Sequence, residues 1–220
     1  MGVFRSMPNT AINKQSEVVN IIKVIGLVTM VIDHIGVFFL PEIQILRLVG
    51  RLSFPCFLYG VVNGLSFTKN VKKYALRLLL MGVLSIISWG TIFPFNIGFT
   101  LAFTVLGLDA FERKDKTGVL LYGLLTMVSE YSLYAYILGF IFYLFNTKRI
   151  SKIKASGAAV LLHSVTAALL PTQIFGIFFL AIWLLANELV SRGFTFNRIP
   201  KTFGYLFYPV HILIFRLLAG

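Results

Sequence analysis

Apolar stretches close to the length that crosses a bilayer recur along this chain from Val18 to the C-terminus. A hydrocarbon core about 30 Å thick takes about 20 helical residues, and inside it every backbone N–H and C=O must be paired. Repeated segments of this kind leave helices as the spanning element. Only 13% of the 220 residues are charged, too few to cover a water-facing surface. The expected fold class is all-α: a polytopic integral membrane helical bundle. About nine transmembrane helices are predicted, near residues 18–40, 45–67, 74–93, 96–108, 117–129, 133–145, 155–170, 173–189 and 203–219. Residues 1–17 form a polar N-terminal segment, and 18–220 a single transmembrane domain. No A-x-A-like pattern closes the first apolar stretch, so a removable signal peptide is not expected.

The formal charge is +12, which in a soluble protein would suggest nucleic acid as a partner. Here Lys and Arg cluster in short loops between apolar spans, where they set orientation instead. With the N-terminus cytoplasmic, all of the 20 Lys and Arg residues except Arg47, Arg51 and Arg216 fall inside. The set includes Arg5 and Arg198 as well as Lys201. Residues 117–145 are read as two short helices meeting at Ser129-Glu130-Tyr131, because one merged helix would reverse every later loop and nearly erase that bias. The lone Cys56 excludes an internal disulfide and reads as a packed small residue.

Ionisable groups are costly inside a bilayer, so those that persist usually face a cavity or a partner. Asp33 and His34 lie in the outer half of the first span, Arg47 and Arg51 open the second, and Glu130 sits at the outer turn between the fifth and sixth. His211 and Arg216 lie in the last, and His163 midway along the seventh. Most fall toward the extracytoplasmic side, which suggests one polar site there. The alternative is that Asp33 and Glu130 only form buried ion pairs with Arg47, Arg51 or Arg216. Asp33 and His34 are consecutive, hence about 100° apart on a helix, and each must find its partner on another element. A neutral imidazole near pH 7 accepts a proton from an amine or hydroxyl nucleophile. The guanidinium of Arg51 suits a phosphate or a developing oxyanion. His163, with no carboxylate near it in sequence, reads as structural. No P-loop, H-E-x-x-H or CxxC pattern occurs, and no metal is predicted.

Residues 23–36, KVIGLVTMVIDHIG, followed by RLVGRLSFP at 47–55, resemble the signature of the TraX family. Further blocks agree in order: Tyr74-x-x-Arg77-Leu78-Leu79, Asn96-Ile97-Gly98-Phe99-Thr100-Leu101 and Phe207-Tyr208-Pro209-Val210-His211. At Glu130-Tyr131-Ser132 the chain departs from the Asp-Tyr-Gly type expected there. The resemblance implies a membrane-embedded acyltransferase of the bacterial cytoplasmic (inner) membrane, most simply an N-acetyltransferase using acetyl-CoA. The family's founding member acetylates a conjugative pilin N-terminus. The implied acceptor is a pilin-like or other extracytoplasmic peptide, or a small-molecule amine, and the remaining partners are membrane lipids. Asp33, His34 and His211 are then catalytic candidates, joined by Glu130. Arg47, Arg51 and Tyr208 are candidates for binding substrate, and Arg77, Lys72 and Lys73 for holding the CoA phosphates. Direct transfer and an acyl-histidine are both open. CoA-independent maturation of a membrane-inserted peptide, such as cyclisation, would use a similar site. A proton-coupled transporter and a non-enzymatic assembly subunit are further alternatives.

Overall fold

A computed structural model of the chain describes residues 9–196 and 199–220, with the side chains of 9–12 and 201 excepted. Arg5 and Arg198, and the side chain of Lys201, lie outside the described residues. Among the described residues ten α-helices follow one another: α1 (Asn9–Phe38), α2 (Gln44–Gly50), α3 (Ser53–Phe67), α4 (Val71–Trp89), α5 (Ile97–Glu112), α6 (Lys116–Met127), α7 (Ser132–Asn146), α8 (Lys152–Ala167), α9 (Phe179–Ser191) and α10 (Lys201–Ala219). A 3-10 segment, Pro171–Phe178, leads into α9. No strand occurs among the described residues.

Among the described residues four segments are long and apolar enough to cross a membrane: Asn13–Phe38, Gln44–Phe67, Pro171–Ser191 and Thr202–Ala219. Their surfaces agree with lipid as the solvent. Leu76, Leu80, Val83, Leu84 and Ile87 form an exposed stripe along α4, whereas Ser85, Ser88, Thr100, Thr104 and Thr126 are buried. A soluble protein would reverse that distribution. The buried hydroxyls are satisfied by backbone carbonyls, Ser85 Oγ donating to that of Met81 at 2.7 Å and Thr104 Oγ1 to that of Thr100 at 2.9 Å within their own helices, and Thr100 Oγ1 to that of Glu130 at 2.7 Å. The chain is a helical membrane protein.

The described residues pack as two compact units. The first holds the residues up to Ser66 with Leu144–Ile199, the second Phe67–Tyr143 with Pro200–Gly220. In the first unit the predicted second span is not one helix. It stops at Arg51-Leu52, whose N–H groups bond three residues back, to Leu48 and Val49. Pro55 explains the break: in a continuous helix its ring would clash with the carbonyl four residues earlier, that of Arg51, whereas in the first turn of α3 it is tolerated. Cys56 is fully buried against Gly26 of α1, in keeping with a packing role.

In the second unit the predicted break at Ser129-Glu130-Tyr131 is present, with Tyr131 and Ser132 at φ 61° and 46° between α6 and α7. The left-handed backbone there ends one helix before the next begins. Helices α4 and α5 meet where Gly82 faces Gly98, an approach that leaves no room for a Cβ at Gly98. Asn96 fastens the same junction: its Oδ1 accepts from the Gly98 N–H at 3.1 Å and its Nδ2 donates to the Gly82 carbonyl at 2.8 Å. The Asn-Ile-Gly block is thus a helix cap and a helix-helix clasp. Asn96→Ala is expected to remove both bonds and cost about 2 kcal/mol, read as a lower thermal midpoint in detergent.

Candidate functional site

In the first unit, Asp33 and His34 sit near the end of α1, Arg47 on α2, and Arg51 on the turn that the proline imposes. Asp33 Oδ2 pairs with Arg47 Nη1 at 2.8 Å. The backbone carbonyl of Asp33 accepts from the same nitrogen at 3.5 Å. The other carboxylate oxygen, Oδ1, is pressed against Gly50, where a side chain would overlap it. Any residue larger than glycine at position 50 would expel the carboxylate. Arg51 lies close enough to act on Asp33 electrostatically. Two polar atoms of this cluster are buried without a hydrogen-bond partner, Asp33 Oδ1 and Arg51 Nε. His34 is buried beside them in sequence. The sequence expectation that Asp33 would find its partner on another element therefore holds, and that partner is Arg47.

A buried, unpaired N–H on a half-buried arginine is unusual, because burying a polar group without a partner costs free energy. The same atom is a preformed donor for any oxygen brought to it. Asp33 is engaged on one oxygen only, so the pair neutralises Arg47 and leaves Arg51 as the cation with an uncommitted donor.

In the second unit, His211 lies on α10 with Nδ1 2.6 Å from the Phe207 carbonyl. A carbonyl can only accept, so Nδ1 carries the proton and Nε2 the lone pair of the neutral ring. Phe207 stacks on the imidazole with centroids 4.9 Å apart and planes 14° from parallel. Phe215 meets it edge-on at 5.7 Å. Tyr208 presents its hydroxyl to Trp89 Nε1 at 3.2 Å, and its ring lies 6.0 Å from that of His211. Arg216 is used structurally: Nη1 donates to the Ser88 carbonyl at 3.3 Å, and its guanidinium packs on Gly90, the left-handed residue that ends α4. A cation at the carbonyl end of a helix is favourable.

Glu130 has its backbone locked at both ends. Its N–H donates to the Phe95 carbonyl at 2.7 Å, and its own carbonyl accepts from Thr100 Oγ1 at 2.7 Å. Lys72 and Lys73 stand exposed in the first turn of α4, where Asn70 caps the Lys73 N–H, and Arg77 hydrogen-bonds Tyr205 of α10. Asp33, His34, Arg47 and Arg51 thus belong to the first unit, and Glu130, Tyr208, His211, Arg77, Lys72 and Lys73 to the second.

His163 is 2% exposed, with Gly176 of the 3-10 segment against its ring and a hydrogen bond to the backbone of Gln173. It ties α8 to the segment that follows, as its sequence context suggested.

A second polar group in the first unit was not foreseen. Trp183 Nε1 on α9 donates to Tyr59 OH on α3 at 3.0 Å. Asn63, one turn further along α3, donates to the Tyr59 carbonyl at 2.8 Å and accepts from Gln15 Nε2 at 2.7 Å. Lys23 lays its alkyl chain on Gly60. The only sequence signal was polar residues inside apolar runs; Tyr and Trp gave none, being common at membrane interfaces.

The sequence model of the TraX family, described as "TraX protein", matches residues 18–219. A probable fimbrial assembly protein FimC, serogroup H1, of Dichelobacter nodosus is 33% identical over 106 residues, 40% of this chain and 43% of the relative. An uncharacterised protein of Rickettsia prowazekii (strain Madrid E) is 32% identical over 65 residues, 30% of this chain and 24% of the relative. The chain thus spans less than half the length of these curated relatives. No solved structure matches it.

Proposed function

We propose that this chain, which belongs to the TraX family, is a membrane-embedded acyltransferase of a pilus-related process. It moves an acetyl group from acetyl-CoA to an extracytoplasmic amine, such as the N-terminus of a pilin-like peptide. The observation that carries the reading is the buried, uncommitted Nε–H of Arg51, in the same unit as the Asp33–Arg47 pair and His34. A donor of that kind suits the oxyanion formed when an amine attacks a thioester carbonyl.

Two histidines qualify as the base, His34 in the first unit and His211 in the second. The neutral imidazole takes a proton from the acceptor amine as its nitrogen bonds to the acyl carbon. The C–S bond then breaks, and the imidazolium returns the proton to the leaving thiolate. The fimbrial assembly relative supports a pilus-related acceptor.

A nine-crossing path with the N-terminus inside the bacterial inner membrane is part of this reading. Lysines stand in or beside the first turns of α4, α6, α8 and α10: Lys72 and Lys73, Lys116, Lys152 and Lys154, and Lys201. A cation at a helix N-terminus opposes the helix dipole, so local helix energetics do not account for the pattern. Retention of positive loops in the cytoplasm does, and the same lysines would attract the CoA phosphates. Calorimetric titration of the detergent-purified protein with acetyl-CoA is expected to give saturable binding that free CoA competes. A folded sample that neither binds acetyl-CoA nor acetylates a peptide with a free amino terminus overturns the reading.

A further inference from the structure

Asn146, the last residue of α7, is 6% exposed, and neither its Oδ1 nor its Nδ2 has a hydrogen-bond partner. A whole amide left open in a buried place forfeits two or three bonds, more than a packed interior ordinarily tolerates. Its surroundings in the first unit are otherwise well fixed. The ring of Phe145, the residue before it, meets Trp183 edge-on with centroids 5.6 Å apart. The indole is held by its bond to Tyr59 OH, and the ammonium of Lys152 stands 5.0 Å from the ring centroid. Lys152 opens α8 and is exposed, so its charge is available to an anion. An amide with a free donor and a free acceptor thus ends α7, and an exposed cation, set against the indole that Phe145 meets, opens the next helix.

The complement of a free primary amide is a secondary amide, one N–H and one C=O. A buried amide is reached by a slender chain rather than by a solvated headgroup. The pantetheine arm of an acyl-CoA is such a chain: it carries two secondary amides and ends in phosphates. We infer that Asn146 pairs with an amide of the donor's pantetheine arm while Lys152 takes a donor phosphate. This rests on the acetyl-CoA reading above and deepens it, by naming a donor contact within the first unit. In the proposed orientation these residues lie on the cytoplasmic side, where the donor is made.

The test uses the full chain in detergent, with Asn146→Leu and Lys152→Met beside wild type, and acetyl-CoA and adenosine 3′,5′-bisphosphate as probes. Asn146→Leu is close in size and removes the open polar atoms, so without ligand its thermal midpoint is expected to equal or exceed that of wild type. It should weaken acetyl-CoA binding roughly tenfold, as lost hydrogen bonds to a buried partner do, and leave the bisphosphate, which has no pantetheine, unchanged. Lys152→Met should weaken both probes. A lowered midpoint for Asn146→Leu would mean that the amide is satisfied within the fold, by ordered water for example, and would overturn the assignment. Undiminished acetyl-CoA binding by that variant would do the same while leaving the acyltransferase reading intact. Failure of wild type to bind acetyl-CoA would instead strike the reading itself.

Discussion

His211→Asn is expected to fold as wild type and to lose roughly 10²–10⁴-fold in the rate of acetyl transfer, the usual contribution of a general base. Asparagine places an amide N–H where the imidazole has Nδ1, so the bond to the Phe207 carbonyl survives. What disappears is Nε2, the nitrogen with the lone pair. The measurement is transfer of labelled acetyl to a peptide with a free amino terminus, with the thermal midpoint and acetyl-CoA affinity as controls. Full activity in a folded variant would remove His211 from the chemistry. His34→Asn, run in parallel, settles which histidine is the base: the other is expected to lose less than tenfold. A loss that tracks a lowered midpoint would point to packing, since both residues are largely buried.

The helical membrane class was legible because it rests on segment length and on the scarcity of charge, and both survive any error in helix boundaries. The break at Glu130 was also legible, but through charge bookkeeping rather than propensity; the left-handed Tyr131 and Ser132 carry no mark in their residue types. The break at Arg51 was half visible. Pro55 lies in plain sight, yet Ile45 to Phe67 reads as one span because its hydropathy does not fall where the backbone turns. The sequence also placed Asp33, His34, Arg47 and Arg51 close along the chain, and the first unit holds them together. It did not show that one oxygen of Asp33 belongs to Arg47, nor that Arg216 caps α4, since pairing depends on side-chain reach across helices. Asn146 was invisible for a different reason. An asparagine before a basic loop looks like an ordinary helix end, and only its burial with both polar atoms open sets it apart.

Asp33→Asn should destabilise the protein by about 2 kcal/mol, and the double variant Asp33→Asn/Arg47→Met should recover most of that loss. The single change keeps the shape that Gly50 accommodates but leaves the Arg47 guanidinium without its counter-ion. Breaking a fully buried pair costs about 3–5 kcal/mol and an exposed one under about 1. With the side chains of Arg47 and Asp33 35% and 15% exposed, this pair falls between the two. The double variant removes both charges, so nothing is left uncompensated. Stability and activity then separate. If the pair only holds α1 to α2, the double variant regains acetyl transfer together with its thermal midpoint. If the carboxylate also sets the field around Arg51 and its open Nε–H, the midpoint returns while transfer stays depressed by roughly 10²-fold, the scale of one lost electrostatic contact in an active site. The second outcome is the one expected, because a purely structural pair gives no reason for Arg51 to sit nearby with a buried donor unspent.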